Sequence, residues 1–252
     1  MEFQLQPRIT RGARVENLAE DAWRLVIPAG PAGSYQCAQM DNYYTLPRSR
    51  FPHPAPFTLE LRGRVSAVGL PGTWGFGLWN DPFGFRVGGG AAPRFPALPN
   101  AAWFFYASPR NYLALRDTHP AQGFLSAVFR APMISPILLA LGAPGAPFLA
   151  WPAAARLLRR LGARIVAEDA ALLDVDVTQW RLFRLEWSEA AVRFWVDGSL
   201  IFQTPFSPRG RLGLVIWIDN QFAAFPPDGR LRSGTLANPQ ESWLEVQLLS
   251  AG

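Results

Sequence analysis

At 252 residues, with 49% hydrophobic and 17% charged, the chain has a globular rather than a disordered balance. It is long enough to bury the core of one large β domain or two small ones. Its net charge of +5 comes from 24 basic residues, every one an arginine, against 19 acids. No acid occurs between Asp117 and Glu168 and the rest is neutral, which excludes a whole-protein field for nucleic acid.

Residues 1–10 carry an acid at position two and no apolar h-region, so the expectation is a cytoplasmic protein without a secretory signal. Residues 22–28 and 34–40 are strand-like. Cys37 is the one cysteine, which excludes an internal disulfide and a four-cysteine zinc site. In residues 56–68, Leu59, Leu61 and Val65 share one face; Thr58, Glu60, Arg62 and Arg64 share the other. A Pro-Gly turn leads into residues 73–80, "TWGFGLWN". Residues 86–100 are rich in Gly and Pro and follow no strand-to-helix pattern, so they read as a long loop. Residues 101–108 ("AAWFFYAS"), 111–117 and 123–130 read as further strands. His53 and His119 each adjoin a proline and have no partner cluster, which argues against a transition-metal site.

Residues 131–155 are uncharged over 25 positions, but five prolines argue against a single membrane-spanning helix. Pro152 then suits a first helical position. At about 100° per residue, Leu157, Leu158, Leu161 and Ile165 form one face of a helix over residues 151–166. Arg156, Arg159, Arg160 and Arg164 form the other. The leucine face is expected to be covered, by the sandwich or by a partner, with Arg156, Arg160 and Arg164 outward.

Residues 181–206 make a three-stranded ribbon. Phe183, Leu185 and Trp187 face one side, as do Val192, Phe194 and Val196 in the next strand. Asp197-Gly198 is a strong two-residue hairpin signal, because both central residues of a type I′ turn need positive φ. Residues 211–219 and 242–249 complete about a dozen strands, mostly sequential and antiparallel by turn length.

The stretch "WRLFRLEWSEAAVRFWVDGSLIF" resembles the signature ribbon of concanavalin A-like jelly rolls, in particular the laminarinase and lichenase-type glycoside hydrolases of family sixteen. Trp180, Phe183, Trp187, Phe194, Val196, Asp197 and Gly198 take the motif positions. Residues 57–80, 210–223 and 243–249 extend the likeness; residues 86–178 match poorly. The resemblance implies an all-β, two-sheet antiparallel jelly-roll sandwich spanning residues 1–252, with a mainly helical insertion over residues 131–170. The family's catalytic strand carries Glu-x-Asp-x-(x)-Glu, whose alternation sets two carboxylates about 5 Å apart for retaining chemistry. Here the strand after Trp79 is "AAWFFYASP", without a carboxylate. The leading expectation is therefore a non-catalytic glycan-binding module. A family-sixteen-type hydrolase with relocated carboxylates, Asp81 or Asp219, stands as the alternative.

Jelly rolls of this kind bind sugar by stacking it on aromatic faces of the concave sheet. The candidate ligand residues are Trp79, Trp103, Tyr106 and Trp217, with Asp219 and Asn220 as hydroxyl partners. Trp74 is a further aromatic candidate, and each of these rings has a core reading beside the site reading. The mid-strand acids Glu60, Glu186 and Glu245 read as a solvated cross-strand ladder with Arg62, Arg64 and Arg184. No cofactor is expected; the resemblance leaves open a calcium ion on backbone carbonyls with Asp81 or Asp219, although no acid-rich loop is present to hold it. The arginine helix has three readings: packing on the sandwich or across a homo-oligomer interface, a lid over the groove, or docking on an anionic membrane.

Overall fold

The computed structural model describes residues 4–82, 84, 94–134 and 151–252. Two seven-stranded antiparallel sheets form a sandwich. Sheet A runs, in spatial order, β1 (Gln6–Ile9), β4 (Cys37–Asp41), β13 (Gly213–Asp219), β6 (Thr73–Trp79), β7 (Ala101–Ala107), β8 (Gly123–Arg130) and β9 (Ala167–Leu172). Sheet B runs β12 (Ser199–Thr204), β11 (Val192–Val196), β10 (Arg181–Trp187), β5 (Phe57–Val65), β16 (Ser242–Ala251), β3 (Ala22–Ile27) and β2 (Arg14–Ala19). A short pair, β14 (Gln221–Ala224) and β15 (Arg232–Thr235), extends from the end of β13.

Sheet B follows the alternation in its sequence. Leu59, Leu61, Val65, Phe183, Leu185, Trp187, Val192, Phe194 and Val196 all point into the core between the sheets. Burying side chains of this size is worth roughly 1.5–3 kcal/mol each, which fixes the register against a one-residue slip. Trp187 is sealed in that core, and its Nε1 donates to Ser207 Oγ at 3.0 Å. The turn between β11 and β12 is left-handed at both residues, with φ of 50° at Asp197 and 80° at Gly198. The outer face of sheet B carries the charged ladder: Arg184 bridges Glu60 and Glu186, and Arg193 approaches Glu186. Glu245 departs from the solvated reading. It is buried, clamped by Arg24 Nε at 2.7 Å and Arg64 Nε at 2.6 Å, and both guanidiniums lie over the Trp243 ring.

Sheet A is different, because both of its faces are apolar. Its inner face adds Met40, Trp74, Phe76, Leu78, Phe104, Phe124, Leu214, Ile216 and Ile218 to the core. A second apolar cluster lies on its outer face.

Three further expectations change. Residues 111–117 form a loop with one isolated bridge from Tyr112 to Ala224, not a strand. The insertion ends short of residue 170, since Ala167–Leu172 is β9, paired with β8. The helix α1 (Pro152–Ile165) lies where expected, and Arg156, Arg160 and Arg164 are exposed as expected, but its leucine face is not covered. Leu157, Leu158, Leu161 and Ile165 are 58%, 45%, 41% and 46% exposed, whereas Arg159 is 5% exposed. The reason is what lies beneath it. Residues 112–117 and 225–229 offer carbonyl acceptors, and Arg159 fills them, donating to Ala114 O, Phe225 O and the Asp117 carboxylate. Ala155 and Val166 share this buried side and bring the backbone close. Part of the 86–100 loop and much of the uncharged 131–155 stretch lie outside the described residues. Among the described residues no helix is long and apolar enough to cross a membrane.

Candidate functional site

The outer face of sheet A is a surface of aromatic rings laid in beds of glycine. Register places Trp217 opposite Gly75 on one side, and Gly75 opposite Phe105 on the other. One row along, Gly77 lies between Val215 and Trp103. In the third row Trp79 faces Gly213 and Ala101, and Ala101 faces Phe129. The glycines are required by these rings. A Cβ on Gly77 would sit 2.6 Å from Trp103 Cβ, and one on Gly75 2.9 Å from the end of the Trp217 indole. On Gly213 it would lie 2.2 Å from the Tyr43 ring. With no side chain at Gly75 and Gly77 of β6 or at Gly213 of β13, the indoles lie across the strands and touch one another.

The resulting chain of rings is continuous. Centroids are separated by 6.2 Å for Tyr43–Trp79, 5.8 Å for Trp79–Trp103, 5.6 Å for Trp103–Trp217, 5.7 Å for Phe105–Trp217 and 6.2 Å for Trp103–Phe129. Trp79, Trp103 and Phe129 are half-buried, so this trio forms the accessible part of the surface. Trp217 and Phe105 are buried beside it. Two indole N–H groups are spent within the protein, Trp79 Nε1 on Tyr43 Oη at 2.6 Å and Trp217 Nε1 on Thr73 Oγ1 at 3.0 Å. Trp103 Nε1 has no acceptor among the described residues.

Three of the six candidate residues therefore come together: Trp79, Trp103 and Trp217. Tyr106 does not join them. It alternates with Trp103 and Phe105 on β7 and so points to the inner side, stacked on Trp74 at 5.6 Å. Asn220 is fully buried and structural: its Oδ1 accepts from Gln36 N, and its Nδ2 donates to Ser34 O and Leu236 O. Asp219 lies at the end of the face and also holds the backbone. Its Oδ1 accepts from Thr73 N, Thr73 Oγ1 and Gln221 N. Burial pushes this carboxyl up to about 7 despite those donors. Phe129 escaped the sequence reading because β8 is apolar on both sides, so alternation carried no signal there.

Carboxylates appear on this face only at its margins. Asp41 on β4 accepts from Tyr43 N, Tyr44 N and Gln39 Nε2. Glu168 on β9 accepts from Leu115 N and Arg116 N. Burial raises the pKa of both above the usual carboxylate range. Asp41 and Asp219 lie beside Val215 and at the end of β13, four residues apart, or about 13 Å at a strand rise of about 3.3 Å. That is more than twice the roughly 5 Å separation of a retaining pair. The outward positions of β7, where the resemblance would place the catalytic acids, hold Ala101, Trp103, Phe105 and Ala107. Asp81 is buried in an ion pair with Arg94 at 2.8 Å. Neither calcium candidate fits a cation: Asp81 faces a guanidinium, and Asp219 is ringed by N–H and O–H donors. Among the described residues no group of three or more His, Cys, Asp or Glu could hold a metal.

No protein-family model matches the sequence, and no curated protein does. Solved structures do match the fold. A LamA variant from Zobellia galactanivorans, in complex with laminaritriose and laminaritetraose, superposes with a TM-score of 0.50 at 6% identity, covering 98% of this chain and 91% of that one. A legume lectin-like domain from Entamoeba histolytica gives a TM-score of 0.47 at 10% identity, over 98% of this chain and 89% of that one. A family 16 endo-glucanase from Bacteroides ovatus gives 0.46 at 9% identity, over 97% and 94%. At these identities the likeness is one of fold: the chain is a concanavalin A-like jelly roll.

Proposed function

We propose that the protein binds a carbohydrate on the outer face of sheet A and leaves it intact. The observation that carries this reading is the contiguous, half-buried surface of Trp79, Trp103 and Phe129, where the hydrolase resemblance would set carboxylates. Flat aromatic rings suit the apolar faces of sugar rings. The marginal carboxylates are engaged by backbone N–H groups and too far apart for paired acid and nucleophile work, which supports binding over hydrolysis. Because the structural neighbour from Zobellia was solved with laminari-oligosaccharides, β-glucan oligosaccharides are the first ligands to try. Glycan-array binding by the purified chain, compared with Trp103→Ala, tests the idea. Stacking on an aromatic is worth roughly 1–3 kcal/mol by analogy with bases, so the variant should bind about tenfold more weakly or worse while melting as a folded protein. An array without a hit, or equal binding by a folded Trp103→Ala, contradicts it.

A second reading rests on a different observation, the exposed leucine stripe of α1. Arg160 and Arg164 flank that stripe and have no acidic partner among the described residues, a pattern suited to an anionic lipid surface. Flotation with anionic but not neutral vesicles, abolished by Leu157→Glu with Leu161→Glu, would support it; no flotation at low salt would remove it.

A further inference from the structure

On the opposite flank of α1 from its leucine stripe lies a cavity of about 490 Å³ between the helix and residues 115–118. Arg116, Asp117, Thr118, Arg156, Arg159 and Arg160 line it. Four guanidinium groups thus face one carboxylate, and that carboxylate is already committed. Asp117 accepts from Arg159 and from Tyr112 Oη, and Arg159 spends its remaining bonds on Ala114 O and Phe225 O. The neighbouring acids are also engaged: Glu168 with Leu115 N and Arg116 N, and Asp228 with Arg230 N.

The other three cations keep donors in reserve. Arg116 donates one Nη2 bond to Ala163 O, while its Nη1 is buried with no partner among the described residues. Arg156 has a single bond, Nη1 to Asp228 O at 3.1 Å. Arg160 has no partner among the described residues. Guanidinium groups gathered without counter-ions, one with a desolvated N–H unspent, fit an oxyanion that accepts several charge-assisted bonds from different sides. Thr118 adds a hydroxyl on the loop side.

We infer that this cavity is a binding site for a tetrahedral oxyanion, the phosphate or sulfate group of a larger ligand. Donors come from two elements, the helix and the 115–118 loop, which suits a tetrahedral group better than a flat carboxylate. The volume exceeds what a bare anion needs, so a carrier moiety has room. This site is independent of the aromatic surface, and neither reading depends on the other.

Calorimetric titration of the full chain with sodium phosphate and sodium sulfate tests it, at constant ionic strength with chloride as the baseline. Saturable binding of either anion is expected. Arg160→Gln removes a side chain with no contact to lose, so the ligand-free melting temperature should be unchanged. Affinity should fall about tenfold or more, the loss expected for one charge-assisted bond. Arg116→Gln should weaken binding as well. No binding of either anion, or wild-type affinity in both variants, overturns the inference. Once binding is established, a hexose phosphate, a sulfated disaccharide and phosphoinositide vesicles compared as competitors separate a free ligand from a lipid headgroup; tighter competition by any of them assigns the carrier.

Discussion

Replacing Asp219 with asparagine should change how stability depends on pH. The Asp219 carboxyl is buried and sits near 7 in the folded protein, against 3.8 for an ordinary aspartate, and burial is the main cause. The folded pKa is raised, so the native state holds this proton more tightly than the unfolded chain. Its favourable contribution is complete below about pH 3.8 and is lost as pH rises through 7. The gap between the two values corresponds to about 4 kcal/mol, of which about 3 kcal/mol falls between pH 5 and pH 8. Asparagine keeps the geometry. All three bonds from Thr73 and Gln221 end on Oδ1, which an amide oxygen replaces, and the amide carries no charge to desolvate. Urea unfolding followed by tryptophan fluorescence at several pH values reads the effect directly. Asp219→Asn should gain about 3 kcal/mol on the wild type between pH 5 and pH 8. A difference that stays flat over that range, or shrinks as pH rises, refutes the reasoning.

Gly77→Ala should cost about 1–3 kcal/mol of stability in thermal unfolding, the usual range for overpacking, because the new methyl meets Ala102 O at 2.5 Å and Trp103 Cβ at 2.6 Å. It should also displace Trp103 and weaken any ligand held there. Removing both partners of the buried Glu245, by Arg24→Met with Arg64→Met, should cost about 3–5 kcal/mol in urea unfolding, as an unpaired buried charge does. The orientation of α1 predicts opposite outcomes on its two sides. Leu161→Gln should leave stability within about 0.5 kcal/mol of wild type, whereas Arg159→Gln should cost about 1–3 kcal/mol by stranding its carbonyl acceptors. Equal effects at the two positions would mean that the helix sits the other way up.

Sheet B was legible from the residues and most of sheet A was not, for one physical reason. Sheet B has one wet face, so Phe183, Leu185 and Trp187 alternate with polar neighbours and declare their side. Strands β4 and β13 are buried along their whole length, and β6 to β8 nearly so. Alternation there carries little information about which face is which, so Tyr106 is named as a candidate beside Trp103 although the two point to opposite sides of β7. Glycine was the informative residue: Gly75, Gly77 and Gly213 mark where rings cross the sheet. The helix was legible in extent and not in orientation, because the leucine stripe dominates its periodicity. Ala155 and Val166, with Arg159 between them, mark the docking side, and a buried arginine is recognised only once the carbonyls it serves are in place. Strands β14 and β15 are four residues each and too short for periodicity to register.

The central claim joins binding to an absence of cleavage, and one measurement reads both. Saturation-transfer difference NMR of laminari- and mixed-linkage oligosaccharides with the purified chain reports contact through the sugar C–H signals and hydrolysis through new reducing-end anomeric signals. The account predicts transfer to the sugar ring protons, lost in Trp103→Ala, with no new anomeric signal on prolonged incubation. New reducing ends appearing with wild-type protein, or contact that survives unchanged in Trp103→Ala, would contradict it.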